Sequence, residues 1–145
     1  MMRIIWKATL ALAIVSAMVT VRADTVSKSI KWENEKSIPV NLASEGVEVK
    51  EIRFAVEGGV HWNPLRAGIG PQAFLQVKNG AGREMKMAVA VALFDGKGGL
   101  LAAGEAGNIG SLDPGESKEI KMTFREVKRK FFEAKTAQIA LETWR

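Results

Sequence analysis

The chain has no cysteine and no tyrosine, and it has a single histidine, His61. Without cysteine, thiol catalysis, disulfide cross-links and cysteine-ligated zinc are excluded. One imidazole among scattered carboxylates makes a poor zinc site, because catalytic zinc ordinarily takes at least two nitrogen ligands. A Ser-His-Asp triad would have to join His61 to a serine and an acid that no local motif marks. No D-x-D-x-D-G loop gathers the oxygens that calcium needs. The glycines of residues 96–110 (GKGGLLAAGEAGNIG) lack the G-x-x-x-x-G-K-[ST] pattern and the following helix of a phosphate cradle, so they read as hairpin turns. No spacing singles out a carboxylate pair of the glycosidase kind. The expectation is a protein without enzymatic activity, metal or cofactor.

Acidic residues are missing from the start of the chain, where the first is Asp24. Arg3 and Lys7 precede an apolar run of 14 residues from Ala8 to Val21. That length fits the core of a secretory signal helix and is short of the roughly 20 residues a membrane span requires. Val21 and Ala23 are the small residues a signal peptidase needs three and one positions before its cut. Residues 1–23 therefore read as a signal peptide cleaved after Ala23, and 24–145 as one domain in the periplasm or outside the cell. The alternative is an uncleaved N-terminal anchor, with Arg22 just beyond the run. The absence of cysteine after the run excludes lipoprotein attachment, and no membrane span is expected after cleavage.

Charge of one sign is also scarcer than the total suggests. The net +5 includes Arg3, Lys7 and Arg22; without them 18 Lys and Arg face 16 Asp and Glu, leaving about +2. A basic partner surface for nucleic acid is not expected. The remaining 122 residues suffice for one core and not for two ordinary domains. With no cross-links, packing alone must stabilise it.

What the chain does have is alternation. From Met85 to Leu93 the odd positions are Met, Met, Val, Val and Leu, and the even ones are Lys and three Ala. This period of two puts large apolar side chains on one face of a strand and small ones on the other. Ile120, Met122 and Phe124 alternate with Glu119, Lys121 and Thr123. Ala137, Ile139 and Leu141 alternate with Gln138, Ala140 and Glu142. Ile52, Phe54 and Val56 alternate with Arg53, Ala55 and Glu57, whereas Val47 and Val49 have the opposite parity. A bulge near Lys50-Glu51 would turn both sets inward. Ala73, Leu75 and Val77 give a further strand, and Val26 to Trp32 an edge strand. Asn79-Gly80, Asp95-Gly96 and Asp113-Pro114-Gly115 are turn signals. Short strands with a turn between each pair predict an all-β immunoglobulin- or fibronectin-like antiparallel β-sandwich. Arg125–Lys135 (REVKRKFFEAK) breaks the pattern, with Val127 and Phe131 at helical spacing, and predicts a short helix or helical turn near 125–135.

Val91-Ala92-Leu93-Phe94-Asp95, the glycine turn Gly96-Lys97-Gly98-Gly99, and Leu112-Asp113-Pro114-Gly115-Glu116 together resemble the core of the bacterial FxLYD-type domains. In that family a strand ending in F-x-L-Y-D enters a glycine turn, and a later L-x-P-G-E turn opens the next strand. Lys78-Asn79-Gly80 stands where the family carries an asparagine turn. The resemblance spans roughly residues 73–124, with Val91 in place of the first aromatic residue and Phe94 in place of the tyrosine. It implies an extracytoplasmic immunoglobulin-like module, usually non-enzymatic, and it carries no catalytic residues.

Two segments are candidates for binding. Residues 58–72 (GGVHWNPLRAGIGPQ) form a long connection between strands, and connections of that length are often functional. They gather His61, Trp62, Asn63 and Arg66, and Trp and Arg are enriched at binding hot spots. Trp62 has two readings here, a contact residue or a plug folded over the end of the sandwich. Between Lys118 and Lys135 seven Lys and Arg face three Glu, with Arg125, Lys128, Arg129 and Lys130 as a basic surface. That run suits an acidic envelope surface, or it is a solvated face over Val127 and Phe131. Trp32 and Trp144 read as packing at the core edge. The leading expectation is a binding or accessory module for an extracytoplasmic protein, contacted through the 58–72 loop. The alternatives are a carbohydrate or envelope-polymer binder that stacks on Trp62 and, behind it, a hydrolase with an unrecognised site.

Overall fold

Strand alternation builds two sheets whose large side chains face each other. In the computed structural model the described residues are 24–56, 70–106, 110–124 and 130–145. They form β1 (Asp24–Lys31), β2 (Ser37–Ser44), β3 (Val47–Val56), β4 (Pro71–Asn79), β5 (Met85–Phe94), β6 (Leu100–Ala106), β7 (Ser111–Leu112), β8 (Ser117–Thr123) and β9 (Thr136–Trp144). A 3-10 helix, Lys130–Glu133, precedes β9. One sheet has the order β1-β9-β5-β6, and β7 pairs with β5 alongside β6; the other has the order β2-β3-β4-β8. All these strand pairings are antiparallel.

The all-β, immunoglobulin-like sandwich expected from the sequence is the fold observed. β4 pairs with β8 and β5 with β9, as strands B with E and C with F do in immunoglobulin sandwiches. β3 stands beside β4 in the place of strand A, and β6 beside β5 in the place of strand C′. The position next to β9, filled in those domains by the last strand, is taken here by the first strand, β1. The helical turn expected near 125–135 appears as the 3-10 helix, with Phe131 fully buried; Val127 lies outside the described residues.

The core is the inner face of both sheets. Met85, Met87, Val89, Val91 and Leu93 of β5 are all buried, beside Ile139 and Leu141 of β9 in the same sheet and facing Ala73, Leu75 and Val77 of β4 and Ile120 and Met122 of β8. Full burial of each large aliphatic side chain contributes about 1.5–3 kcal/mol. The bulge expected near Lys50 is present as a register shift between Val49 and Glu51 against β4, and it brings Val47, Val49, Ile52 and Phe54 all inside.

Three sequence expectations need correction. Residues 96–110 are not all turns, because Leu100–Ala106 is a strand paired with Val89–Phe94. Its glycine, Gly104, sits where a Cβ would come within 2.8 Å of Met122 Sδ and 3.1 Å of Phe124 Cε1. Glycine is there for close packing between the sheets, not for a turn. Second, Ser37–Ser44 is a strand the alternation did not mark, since Pro39 and a register shift before Leu42 break its pattern. Third, Pro71 and Gln72 belong to β4 and not to the preceding connection. Proline is accepted as the first residue of a strand, and the Pro71 carbonyl takes a hydrogen bond from Phe124 N at 2.8 Å.

Candidate functional site

The two ends of the sandwich are built differently. At one end Asn79, with no exposed surface, closes β4. Its Nδ2 donates to the carbonyls of Leu112 (2.8 Å) and Arg83 (2.9 Å), and its Oδ1 accepts from Ala81 N at 2.9 Å. Its backbone N donates to Glu116 O, and its own carbonyl accepts from Gly115 N, both at 2.8 Å. Both polar groups of its side chain are satisfied, so this end is sealed from within. The turn it holds is Asp113–Glu116, in which Asp113 N donates to Glu116 Oε2 at 2.8 Å and Gly115 takes φ 78°.

The opposite end is aromatic. Phe131 lies at its centre, with Trp32 edge-on at 5.2 Å, Phe132 at 5.6 Å, Phe124 at 6.2 Å and Phe54 at 6.3 Å between ring centroids. Backbone bonds from Trp32 N to Lys135 O (3.0 Å) and from Lys135 N to Phe94 O (2.8 Å) tie the 3-10 helix to β1 and β5. Such edge-to-face contacts add about 0.5–1.5 kcal/mol each beyond burial.

Among the described residues, this end also holds the buried polar atoms that have no partner. Trp32 Nε1, Asn34 Oδ1 and Gln72 Oε1 are buried without a hydrogen-bond partner. They belong together: Asn34 bridges Phe54 on β3, Trp32 stacks near the same Phe54, and Gln72 pairs across to Ala55. A buried polar group left unpaired costs about 1–3 kcal/mol, so three at one end are a concentrated penalty. Among the described residues, the large apolar side chains that stay exposed are Leu100 and Phe132, at 62% and 54%. Both are here, since Leu100 pairs with Phe94 and Phe94 with Thr136, which follows the 3-10 helix closely.

Of the residues singled out by sequence, His61, Trp62, Asn63 and Arg66 lie outside the described residues, as do Arg125, Lys128 and Arg129. Lys130 is described and is exposed at the start of the 3-10 helix. The flanks of both segments meet the aromatic end: Val56 pairs with Pro71, and Phe124 bonds to Pro71. Sequence reasoning passed over Phe132, Leu100, Asn34 and Gln72. The Phe131-Phe132 doublet was a usable signal, because a single helical turn cannot bury two adjacent rings equally. Trp32 packs at the core edge as expected, and Trp144 lines a surface depression of about 210 Å³ with Lys86, Met87, Gly110 and Ser111.

Among the described residues, one surface pair shifts its own titration. The Glu33 carboxyl is held below its ordinary value, first by its 2.7 Å hydrogen bond from Lys36 and then by that ammonium's charge; Lys36 is raised by the same partner. On the outer face of the β2-β3-β4-β8 sheet the Arg53 guanidinium lies 4.4 Å from the Phe74 ring centroid. Among the described residues no three His, Asp or Glu converge as metal ligands, and no helix is long and apolar enough to cross a membrane. No protein-family model matches the chain, and no curated protein matches it.

Proposed function

We propose that the chain is an exported, non-enzymatic binding or accessory module, an immunoglobulin-like domain of the FxLYD kind, that holds a protein partner by the aromatic end of its sandwich. The observation that carries this reading is the convergence at one end, among the described residues, of the two exposed large apolar side chains and the three unpaired buried polar atoms. Phe132 offers an aromatic anchor, and interfaces are enriched in such residues at their cores. Lys130 stands beside it as a rim charge. The connection between Val56 and Pro71, with Trp62 and Arg66, leaves β3 and returns to β4 at this same end, which supports its assignment to the contact surface.

The test is affinity capture with the immobilised protein from an envelope and secreted fraction of its host. Two variants run alongside, Phe132→Ser and the double variant Trp62→Ala, Arg66→Ala, each checked for folding by circular dichroism. A protein retained by the wild type and lost by both folded variants supports the reading. A partner retained equally by all three moves the site away from this end. A glycan in place of a protein, lost with Trp62, would select the envelope-polymer alternative. N-terminal sequencing of the exported product tests the export assignment, which requires a chain beginning at Asp24.

A further inference from the structure

Trp32 and Trp144 serve different ends. Trp32 packs on Phe54 and Phe131 inside the aromatic end. Trp144 alternates with the buried Leu141 and Thr143, so its indole lies half-buried on the outer face of its sheet. Across that face Lys86 of β5 stands opposite Trp144, and Ser111 of β7 stands opposite Lys86. Directly opposed antiparallel residues have Cα atoms about 4.5–5.5 Å apart. A hydroxyl, an ammonium and an indole therefore form one row, and with Met87 and Gly110 they line the depression of about 210 Å³. The next row pairs Glu142 with Ala88. There a second depression, of about 180 Å³, runs over Ala88, Ala90 and Ala140 and is lined also by Glu142 and Glu105.

We propose that the Ser111-Lys86-Trp144 row is a subsite for one pyranose ring of a neutral glycan. Such a ring has an apolar C–H face and a rim of hydroxyls. The indole takes the face, since an aromatic side chain at a surface offers a broad apolar plane. The hydroxyls accept from the Lys86 ammonium and exchange hydrogen bonds with Ser111. Charge selects the ligand. Lys86 and Glu142 both adjoin Trp144 on this face, one across the strands and one two residues back along β9. Among the described residues neither is held in an ion pair. An anion drawn to Lys86 meets Glu142, and a cation drawn to Glu142 meets Lys86, whereas hydroxyls satisfy both. Size agrees, because clefts for drug-sized ligands hold roughly 300–1,000 Å³, and about 210 Å³ suits a single ring. The second depression continues along β5, where Lys86 to Ala90 spans about 14 Å, and has room for the next sugar of a chain. The platform is also rigid. Ser111 adjoins Leu112, whose carbonyl accepts from Asn79 Nδ2 at 2.8 Å, and sites built on strands are held more precisely than sites on loops.

This subsite lies at the far end of β5 from Phe94, and it does not depend on the contact surface proposed above. The test is an NMR titration of the protein with cellotriose, maltotriose and triacetylchitotriose, with glucuronate and glucosamine as charged controls. Trp144→Phe assigns the Trp144 indole N–H resonance. At least one neutral trisaccharide is expected to shift that resonance. Trp144→Ala, folded by circular dichroism, should bind about tenfold more weakly, the loss of an aromatic anchor. Trp144→Phe should keep most of the affinity, and Lys86→Met should lose several-fold. If Trp144→Ala does not fold, Lys86→Met, which removes only an exposed ammonium, carries the same test. No indole shift with any of the sugars overturns the proposal, as does binding that survives Trp144→Ala or is unchanged in Lys86→Met. A shift confined to the Trp62 indole overturns it too, and so does tighter binding of either charged control.

Discussion

Replacing Asn79 tests whether one side chain holds the sealed end together. Asn79→Ala removes three hydrogen bonds and leaves the carbonyls of Leu112 and Arg83 and the N–H of Ala81 without their partner. The Leu112 bond is buried, so its carbonyl bears the full desolvation cost of about 1–3 kcal/mol. The other two are partly buried, and water replaces the partner at about 0.5–1 kcal/mol each. The expected loss is therefore about 2–5 kcal/mol, a large share of the stability of a domain this size. Asn79→Asp keeps the shape and Oδ1 but points a carboxylate oxygen at two carbonyls. It should cost at least as much as alanine at pH 7. Burial against carbonyl oxygens raises the folded-state pKa of that introduced acid. Its penalty is therefore full above the raised value and is relieved as pH falls toward the ordinary aspartate value, where the protonated acid can donate one bond. Urea unfolding followed by tryptophan fluorescence, at neutral pH and near pH 4, reads both effects. A loss under about 0.5 kcal/mol for alanine, or an aspartate variant indifferent to pH, would refute the assignment.

Phe131→Ala should destabilise by about 3–5 kcal/mol, because the ring is fully buried among Trp32, Phe54 and Phe124. Phe132→Ala should stay within about 1 kcal/mol, since that ring is more than half exposed; similar losses in denaturant melts of the two variants would contradict the packing described. The Glu33 carboxyl, depressed by Lys36 and less so by Lys31, makes a contribution that is present above the unfolded glutamate value and lost as pH falls through the lower folded value. In a carboxyl-carbon NMR titration Lys36→Met should move its midpoint upward, and by more than Lys31→Met does, the two ammonium groups standing at 2.7 and 3.7 Å. An unmoved midpoint in Lys36→Met would remove the pair as the cause.

The strands that were legible in the sequence are those buried on one face with water on the other. β5, β8, β9 and the second half of β3 alternate because their inner residues meet the core and their outer ones do not. The same rule located the β3 bulge, since a change of parity among valines and isoleucines has no other economical cause. β2 and β6 were illegible for opposite reasons. β2 is an edge strand whose proline and irregular register serve to stop pairing, so the features that protect it also disguise it. β6 is built from small residues because Met122 and Phe124 of the facing sheet press on it at Gly104. Its composition reports the volume of a neighbour far away in sequence, which no local pattern can express. The order of the sheets has the same character: that β1 rather than a final strand flanks β9 depends on pairing across the whole chain.

The candidate site was legible only through its chemistry-rich residues, and those point to a region without defining its surface. In the sequence, Trp62 and Arg66 mark a long connection between β3 and β4. What gives that place a distinct character is the contrast between the two ends. Asn79 satisfies its carbonyls and amide from one side chain, and the turn signals around it are strong in sequence because local hydrogen bonding does the work. At the aromatic end the polar atoms of Trp32, Asn34 and Gln72 come from three separated segments, and their lack of partners is a property of the assembled fold. A chain selected for stability alone would relieve such a penalty with apolar residues of similar shape, which is often neutral or better. Retaining it beside an exposed phenylalanine, while the Asn79 side chain at the other end is fully satisfied, is the asymmetry expected of a scaffold stabilised at one end and kept for contact at the other.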